Sequence, residues 1–300
     1  MNRPWPYAPH AAFCAPARRF PGLGRVALLL FTIEAIFLIA LFATVLALKR
    51  AGVVSSGAEV STGATAIGLL VQLFSFGLLS AALLVVLRCA DGRGLWSLLG
   101  DPARLWPDLR VAFLAGAALL LAVELLPPWL WGGMSLGKPP LLWLLLLPVS
   151  LSALLVQVSA EELLFRGYLQ QQLAVRFPDP RVWLILPNVL FALAHYDGQG
   201  DVIGDVHYVL WAFAFGLAAS DLTARTGSLG AAIGFHLANN VYASLFWGER
   251  DGADSGLALW LSPPHTGHAP QATAPLDPNF FVSLCLLGLM WLAIRIALRR

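Results

Sequence analysis

The sequence predicts an all-α fold, a polytopic membrane helix bundle of about eight transmembrane helices. Three observations support this. Of the 300 residues, 58% are hydrophobic and only 12% are charged. Mean hydropathy is +0.74, far above that of a water-soluble domain. The apolar residues are gathered into stretches of roughly 20, the length that crosses ~30 Å of hydrocarbon at ~1.5 Å per residue.

These stretches run over 26–48, 64–87, 109–131, 141–165, 182–196, 206–223, 229–247 and 279–298. The first follows Arg18, Arg19 and Arg25, as a signal peptide would. It is too long for a secretory h-region, however, and lacks a small-residue cleavage site before Lys49 and Arg50, so it reads as an uncleaved span. The fifth and sixth are short and separated by polar residues. Turn signals lie at Phe177-Pro178-Asp179-Pro180, Asp197-Gly198-Gln199-Gly200 and Arg225-Thr226-Gly227. No internal repeat is visible.

With eight spans, most arginines fall on one side: Arg18, Arg19, Arg25, Arg88, Arg93, Arg104, Arg110, Arg176, Arg181, Arg225, Arg299 and Arg300. Positive residues collect in cytoplasmic loops, so both termini are expected in the cytoplasm. The expected organisation is a cytoplasmic tail over 1–22, N-terminal spans over 23–140, a polar-motif core over 141–247, an external loop over 248–278 and a last span over 279–300. The Pro- and His-rich 248–278 segment reads as poorly ordered. Arginine outnumbers lysine, and Ala and Leu dominate, which points to a GC-rich bacterial source and an inner membrane.

A net charge of +2 with scattered arginines excludes a nucleic-acid surface. The partners expected are the lipid bilayer and a membrane-associated peptide or protein. Cys14, Cys89 and Cys285 are far apart and suggest neither a disulfide framework nor a thiolate zinc site.

Ionisable groups inside spans cost roughly 2.5 to over 10 kcal/mol, so each requires a reason. The densest set is Ser159-Ala160-Glu161-Glu162-Leu163-Leu164-Phe165-Arg166-Gly167, read at the cytoplasmic end of the fourth span. Others are His195 after Phe191, and His236 with Asn239 and Asn240. If the fourth helix continues through its motif to Val175, the turn at 177–180 makes an antiparallel hairpin that sets Glu161 and His195 at equal height. The turn at Thr226 sets Gly216 opposite His236, where a glycine lets helices approach. Glu162 and Arg166 are spaced i, i+4 and pair as a structural unit, while Glu161 points about 100° away and is left free. His236 and Asn240 share one face of the seventh helix.

A carboxylate and imidazoles in a low-dielectric wall suit hydrolysis. The desolvated carboxylate takes a proton from water, and His and Asn donors hold the oxyanion. The same Glu161, His195 and His236 could instead bind a divalent metal such as zinc, with an open position for water. The residues alone leave both alternatives open.

At these positions the chain resembles the CAAX-protease and bacteriocin-processing family of intramembrane endopeptidases, which includes the type II prenyl-protein protease. Two glutamates with an arginine four residues after the second match Glu161, Glu162 and Arg166. Phe with His four later matches Phe191 and His195; Phe with Gly three later is similar to Phe213 and Gly216; His with Asn four later matches His236 and Asn240. The resemblance covers roughly Leu141 to Trp247. It implies proteolysis with Glu161 as base, His195 holding water, and His236 with Asn240 stabilising the oxyanion. The family has been described with both metal-dependent and glutamic mechanisms, so cofactor use does not carry over, and neither does a prenylated substrate.

Phe191, Phe213 and Gly216 read as packing residues. His207 reads as solvated loop, and His10, His265 and His268 as exposed. Trp129, Trp131 and Trp143 fit an interfacial belt. Glu34 and Glu124 have no assigned role. The competing functions are a proton-coupled transporter, since Glu and His chains also relay protons, and a non-catalytic membrane scaffold or immunity protein. Against the transporter, no matched pair of broken helices is visible.

Overall fold

The computed structural model describes residues 6–20, 22–126, 133–196, 198, 202–263 and 277–300. The fold is an α-helical bundle with one small sheet. A short helix α1 (Ala8–Phe13) and a 3-10 turn (Ala15–Arg19) lead into α2 (Leu23–Arg50). Then follow α3 (Gly57–Thr62), α4 (Ala66–Asp91), α5 (Trp96–Leu99), α6 (Pro102–Glu124), β1 (Ser135–Leu136) and α7 (Pro140–Glu162). A π-helical stretch (Leu163–Gln170) joins α7 to α8 (Gln171–Arg176), and α9 (Pro180–Leu193), α10 (Val202–Thr226) and α11 (Gly230–Val241) complete the core. A second π-helical turn (Tyr242–Phe246), β2 (Trp247–Glu249), β3 (Trp260–Ser262) and α12 (Pro278–Ala297) end the chain.

Among the described residues, six helical stretches are long and apolar enough to cross a membrane: α2, α4, α6, the continuous run Pro140–Arg176, α10 and α12. The expected fifth and seventh spans are shorter, a 14-residue α9 and a 12-residue α11 extended by its π turn. The fourth is longer than expected: its helical chain does not stop at 165 but runs to Arg176. Apolar side chains such as Leu28, Phe31, Ile39 and Phe42 of α2 face outward, as a hydrocarbon solvent allows.

Helix starts follow local chemistry. Asp101, Asp179 and Asp277 each precede a proline, and each carboxylate accepts from the backbone N–H two residues on, capping α6, α9 and α12. The Asp101-Pro102 start explains why the third span begins well before residue 109, and α6 ends at Glu124. Expected spans reaching 131, and with them Trp129 and Trp131, run outside the described residues.

The closest helix pairing is α6 against α11. Gly230, Gly234 and Ala238 repeat at i+4 along α11. A methyl group at either glycine would collide with the Leu105 or Leu109 carbonyl oxygen of α6. Small residues thus let the backbones approach, the usual device where lipid supplies no hydrophobic drive. This seats α11 in the middle of the bundle, with His236 buried.

Two expectations about the ends are corrected. The segment after Trp247 is not a bare loop: β2 and β3 pair parallel, and β3 pairs antiparallel with β1, in the order β1-β3-β2. Residues 264–276, with His265 and His268, lie outside the described residues. The N-terminal segment is docked beneath the core. His10, expected exposed, is 4% exposed, with its ring 4.3 Å from that of Trp183 and its Nε2 3.2 Å from Gln170 Nε2. Tyr7 donates to Asp221 at 2.8 Å, and Asp221 also accepts from Arg225 and Trp291.

Candidate active site

The Glu161-Glu162 pair sits where α7 passes into the π-helical stretch. The chain continues helically to Arg176, and both glutamates are buried inside the bundle. Glu162 and Arg166 keep their i, i+4 contact, with Nη1 3.1 Å from Oε1, and both are fully buried. Arg166 Nη2 donates to Asn188 Oδ1 at 3.0 Å and to the Gly216 carbonyl at 3.1 Å. Its guanidinium also lies 4.6 Å from the centre of the Phe191 ring. Asn188 is held in turn by the Leu184 carbonyl and the Ser220 hydroxyl. The arginine therefore ties α7, α9 and α10 together.

Gly216 serves this arginine rather than an approach to α11. A Cβ there would stand 2.5 Å from Asn188 Oδ1 and 3.1 Å from Arg166 Nη2. Phe213 lies in the apolar packing, half-buried. The aromatic that reaches the site is Phe215, whose ring lies 4.8 Å from His236.

His236 lies between the two glutamates. Its Nδ1 is 2.8 Å from Glu162 Oε1 and its Nε2 is 3.7 Å from Glu161 Oε2. An ionised carboxylate only accepts, so Nδ1 carries the proton shared with Glu162, and Nε2 is left facing Glu161. Glu161 Oε1 accepts from Gln157 Nε2 at 2.7 Å, while its Oε2 has no hydrogen-bond partner. Asn240 donates to Gln157 Oε1 at 2.9 Å and accepts from Asn239 at 3.1 Å.

His195 lies one residue beyond the C-cap of α9 and is half-buried. Its Nδ1 is 2.7 Å from the Phe191 carbonyl oxygen, so Nδ1–H donates there and Nε2 is the other ring nitrogen. The i, i+4 spacing of Phe191 and His195 thus has a backbone meaning as well as a ring contact at 4.4 Å.

Glu161, His195, His236 and Asn240 all line one cavity of about 1030 Å³, as large as the pockets that hold sizeable ligands. Its walls come from α2, α4, α6, α7 and α9 to α12. It extends toward the face where α6 and α11 end and α4, α10 and α12 begin, the face of the small sheet. The docked N-terminal segment occupies the opposite face. Glu34, Glu161, Asp254 and Asp277 line it, and its described lining contains no Lys or Arg. Residues 197, 199–201 and 264–276, outside the described residues, contain neither residue type.

Several residues found here were missed or misread in the sequence. Glu34 lines the cavity, and Glu124 accepts from the Tyr242 hydroxyl. His207 is on α10 rather than in a loop, stacked 4.3 Å from Phe280 in the same cavity wall. Gln157, Asn188 and Ser220 went unremarked. The available signal for Gln157 was its position one helical turn before Glu161.

Among the described residues, no three His, Cys, Asp or Glu side chains converge as a set that could hold a metal ion. Glu161, His195 and His236 therefore do not fit a ready three-ligand site, and no step below passes through a metal.

Residues 141–242, which hold Glu161, Glu162, Arg166, His195, His236 and Asn240, match the family model described as type II CAAX prenyl endopeptidase Rce1-like. The match covers about a third of the chain. The chain is also 28% identical over 160 residues to the uncharacterized protein YyaK of Bacillus subtilis (strain 168), a match covering 51% of this chain and 52% of that protein. The chain thus spans about half the length of the curated relative it matches. No solved structure matches it.

Proposed function

We propose that the chain is an intramembrane endopeptidase that hydrolyses a peptide bond of a membrane-associated protein or peptide. One observation carries the reading. Glu161, only 8% exposed, lines the cavity shared with His195, His236 and Asn240 and has a buried Oε2 with no hydrogen-bond partner; Glu162 Oε2 is likewise without one, but Glu162 does not line the cavity. Glu162 is already committed to Arg166 and His236, so the two adjacent glutamates divide between chemistry and structure.

Glu161 Oε2 and His236 Nε2 are 3.7 Å apart, a separation that one water spans with contacts of about 2.8 Å to each. In the proposed reaction Glu161 takes a proton from this water, whose oxygen adds to the scissile carbonyl carbon. The resulting oxyanion accepts from Asn240, while His236 accepts from the water through Nε2 and His195 orients it from across the cavity. The proton on Glu161 then passes to the leaving nitrogen as the C–N bond breaks.

The orientation expected from loop charges puts both termini in the cytoplasm, so the cavity extends toward the external face.

The test is hydrolysis of a panel of quenched-fluorescent peptides, lipidated and plain, by purified protein in detergent, with and without a zinc chelator. Cleavage by the wild type that Glu161→Gln abolishes supports the reading. Equal cleavage by the two proteins removes Glu161 from the chemistry. Loss on chelation would return the metal alternative.

A further inference from the structure

We propose that Gln157 is a positioning residue of this site, holding Glu161 and Asn240 in the orientations that hydrolysis needs. The proposal rests on the proteolytic reading and adds a residue to it that no motif contains.

One chain of amides, buried at Gln157 and half-buried at the asparagines, links the two helices. Asn239 Nδ2 donates to Asn240 Oδ1 at 3.1 Å, Asn240 Nδ2 to Gln157 Oε1 at 2.9 Å, and Gln157 Nε2 to Glu161 Oε1 at 2.7 Å. An amide can be turned either way about its last torsion, but an ionised carboxylate has no proton to give. Glu161 therefore compels Gln157 to present its NH2, which leaves the Gln157 carbonyl for Asn240. Asn240 must answer with its own NH2, and its carbonyl turns to Asn239. The whole chain has one direction, set by Glu161 and transmitted by Gln157 from α7 to α11.

Two consequences matter for chemistry. Glu161 is fixed through Oε1, so Oε2 is the oxygen left without a partner. Asn240 spends one N–H on Gln157 and keeps the second as a donor at the cavity wall it lines. Without Gln157 its carboxamide could flip and bring a carbonyl oxygen to the place where the oxyanion forms. Gln157 is itself 8% exposed and belongs to the same wall, so few waters could replace it. Gln157 acts through its neighbours, so its loss should slow turnover more than it weakens substrate binding.

Gln157→Met keeps the length and removes both hydrogen bonds. Gln157→Asn keeps an amide too short to reach both partners, and serves if the first variant does not fold. In either, kcat is expected to fall by about 10- to 100-fold, the cost of a misplaced catalytic group, while KM stays within about 3-fold. A substrate-free reading accompanies the kinetics. With 13C-labelled glutamate, the infrared carboxylate band lost in Glu161→Gln should shift in Gln157→Met. Unchanged kcat, a loss lying wholly in KM, or a band that does not move overturns the role of Gln157. Full cleavage by Glu161→Gln instead removes Glu161 from the chemistry, and the catalytic half of this proposal with it. The infrared shift distinguishes that case, because it reports the contact without substrate.

Discussion

The imidazole of His236 is hydrogen-bonded to Glu162, with Nδ1 2.8 Å from Oε1, and not to the neighbouring Glu161. Adjacent glutamates on one helix thus have different chemistry, because one balances a buried arginine and imidazole while the other borders a cavity. Sequence adjacency gave no sign of which would be which beyond the i, i+4 spacing of Glu162 and Arg166.

Substitutions at the two positions should therefore fail in different ways. Glu161→Gln is expected to lower kcat/KM by at least about 100-fold, the scale of a lost general base, with little change in melting temperature. Glu162→Gln leaves Arg166 buried without its counter-charge, a loss of about 3–5 kcal/mol. Thermal unfolding in detergent alongside cleavage rates separates them. An inactive Glu162→Gln with an unaltered melting curve would place Glu162 in the chemistry.

Docking of the N-terminal segment should depend on pH through His10. Burial lowers its pKa from 6.5 to about 4, so the folded site favours the neutral ring. Above about 6.5 the ring is neutral in both folded and unfolded states, and docking is fully stable. As pH falls from 6.5 to 4 the unfolded segment gains a proton that the docked one resists, at up to about 1.4 kcal/mol per pH unit and ~3 kcal/mol in all. Wild type is expected to melt lower at pH 5 than at pH 7.5, and His10→Gln to lose this part of the difference. An identical pH response in the variant would show that other groups control it.

The direction in which the cavity extends can be read by labelling. In a protein carrying Cys89→Ser and Cys285→Ser, Asn279→Cys places a thiol in the cavity wall near the start of α12. Cys14 is buried and its thiol is pushed up to about 12, so it should stay silent. A membrane-impermeant maleimide is expected to label Asn279→Cys on intact cells. Labelling only after the membrane is opened would reverse the orientation drawn from the arginines.

Carboxylates without basic neighbours in the cavity wall should favour positively charged substrates. A low-dielectric wall focuses such a field on the interior. Among peptides equal in length and hydropathy, those carrying Lys or Arg near the scissile bond are expected to show kcat/KM about 10-fold above Asp- or Glu-bearing ones. The preference should fall with added salt and in Glu34→Gln. Equal rates for the two sets would discount the wall charge.

Much of the bundle was legible because its causes are local. Apolar length marked α2, α4, α6, α10 and α12, while the Asp-Pro pairs that start α6 and α12 were not read as helix caps. The motif residues were legible because an ionisable group in lipid is expensive and stands out against Leu and Ala. Gln157, Asn188 and Ser220 did not stand out in this way, since single neutral polar residues are common in membrane helices. Phe213 was read ahead of Phe215 because a spacing pattern does not say which aromatic faces inward.

The sequence by itself determined that this chain lives in a membrane, where its helices lie, and which side chains needed a reason to be there. Hydropathy and cap chemistry act within a few residues, and those distances a sequence contains. Only the tertiary structure decided that Glu162 rather than Glu161 holds His236, that Gly216 makes room for an arginine, and that the N-terminal segment packs beneath the core. Each of these depends on which faces of separate helices meet. That is fixed by side-chain volume and hydrogen-bond completion across the bundle, not by spacing along the chain.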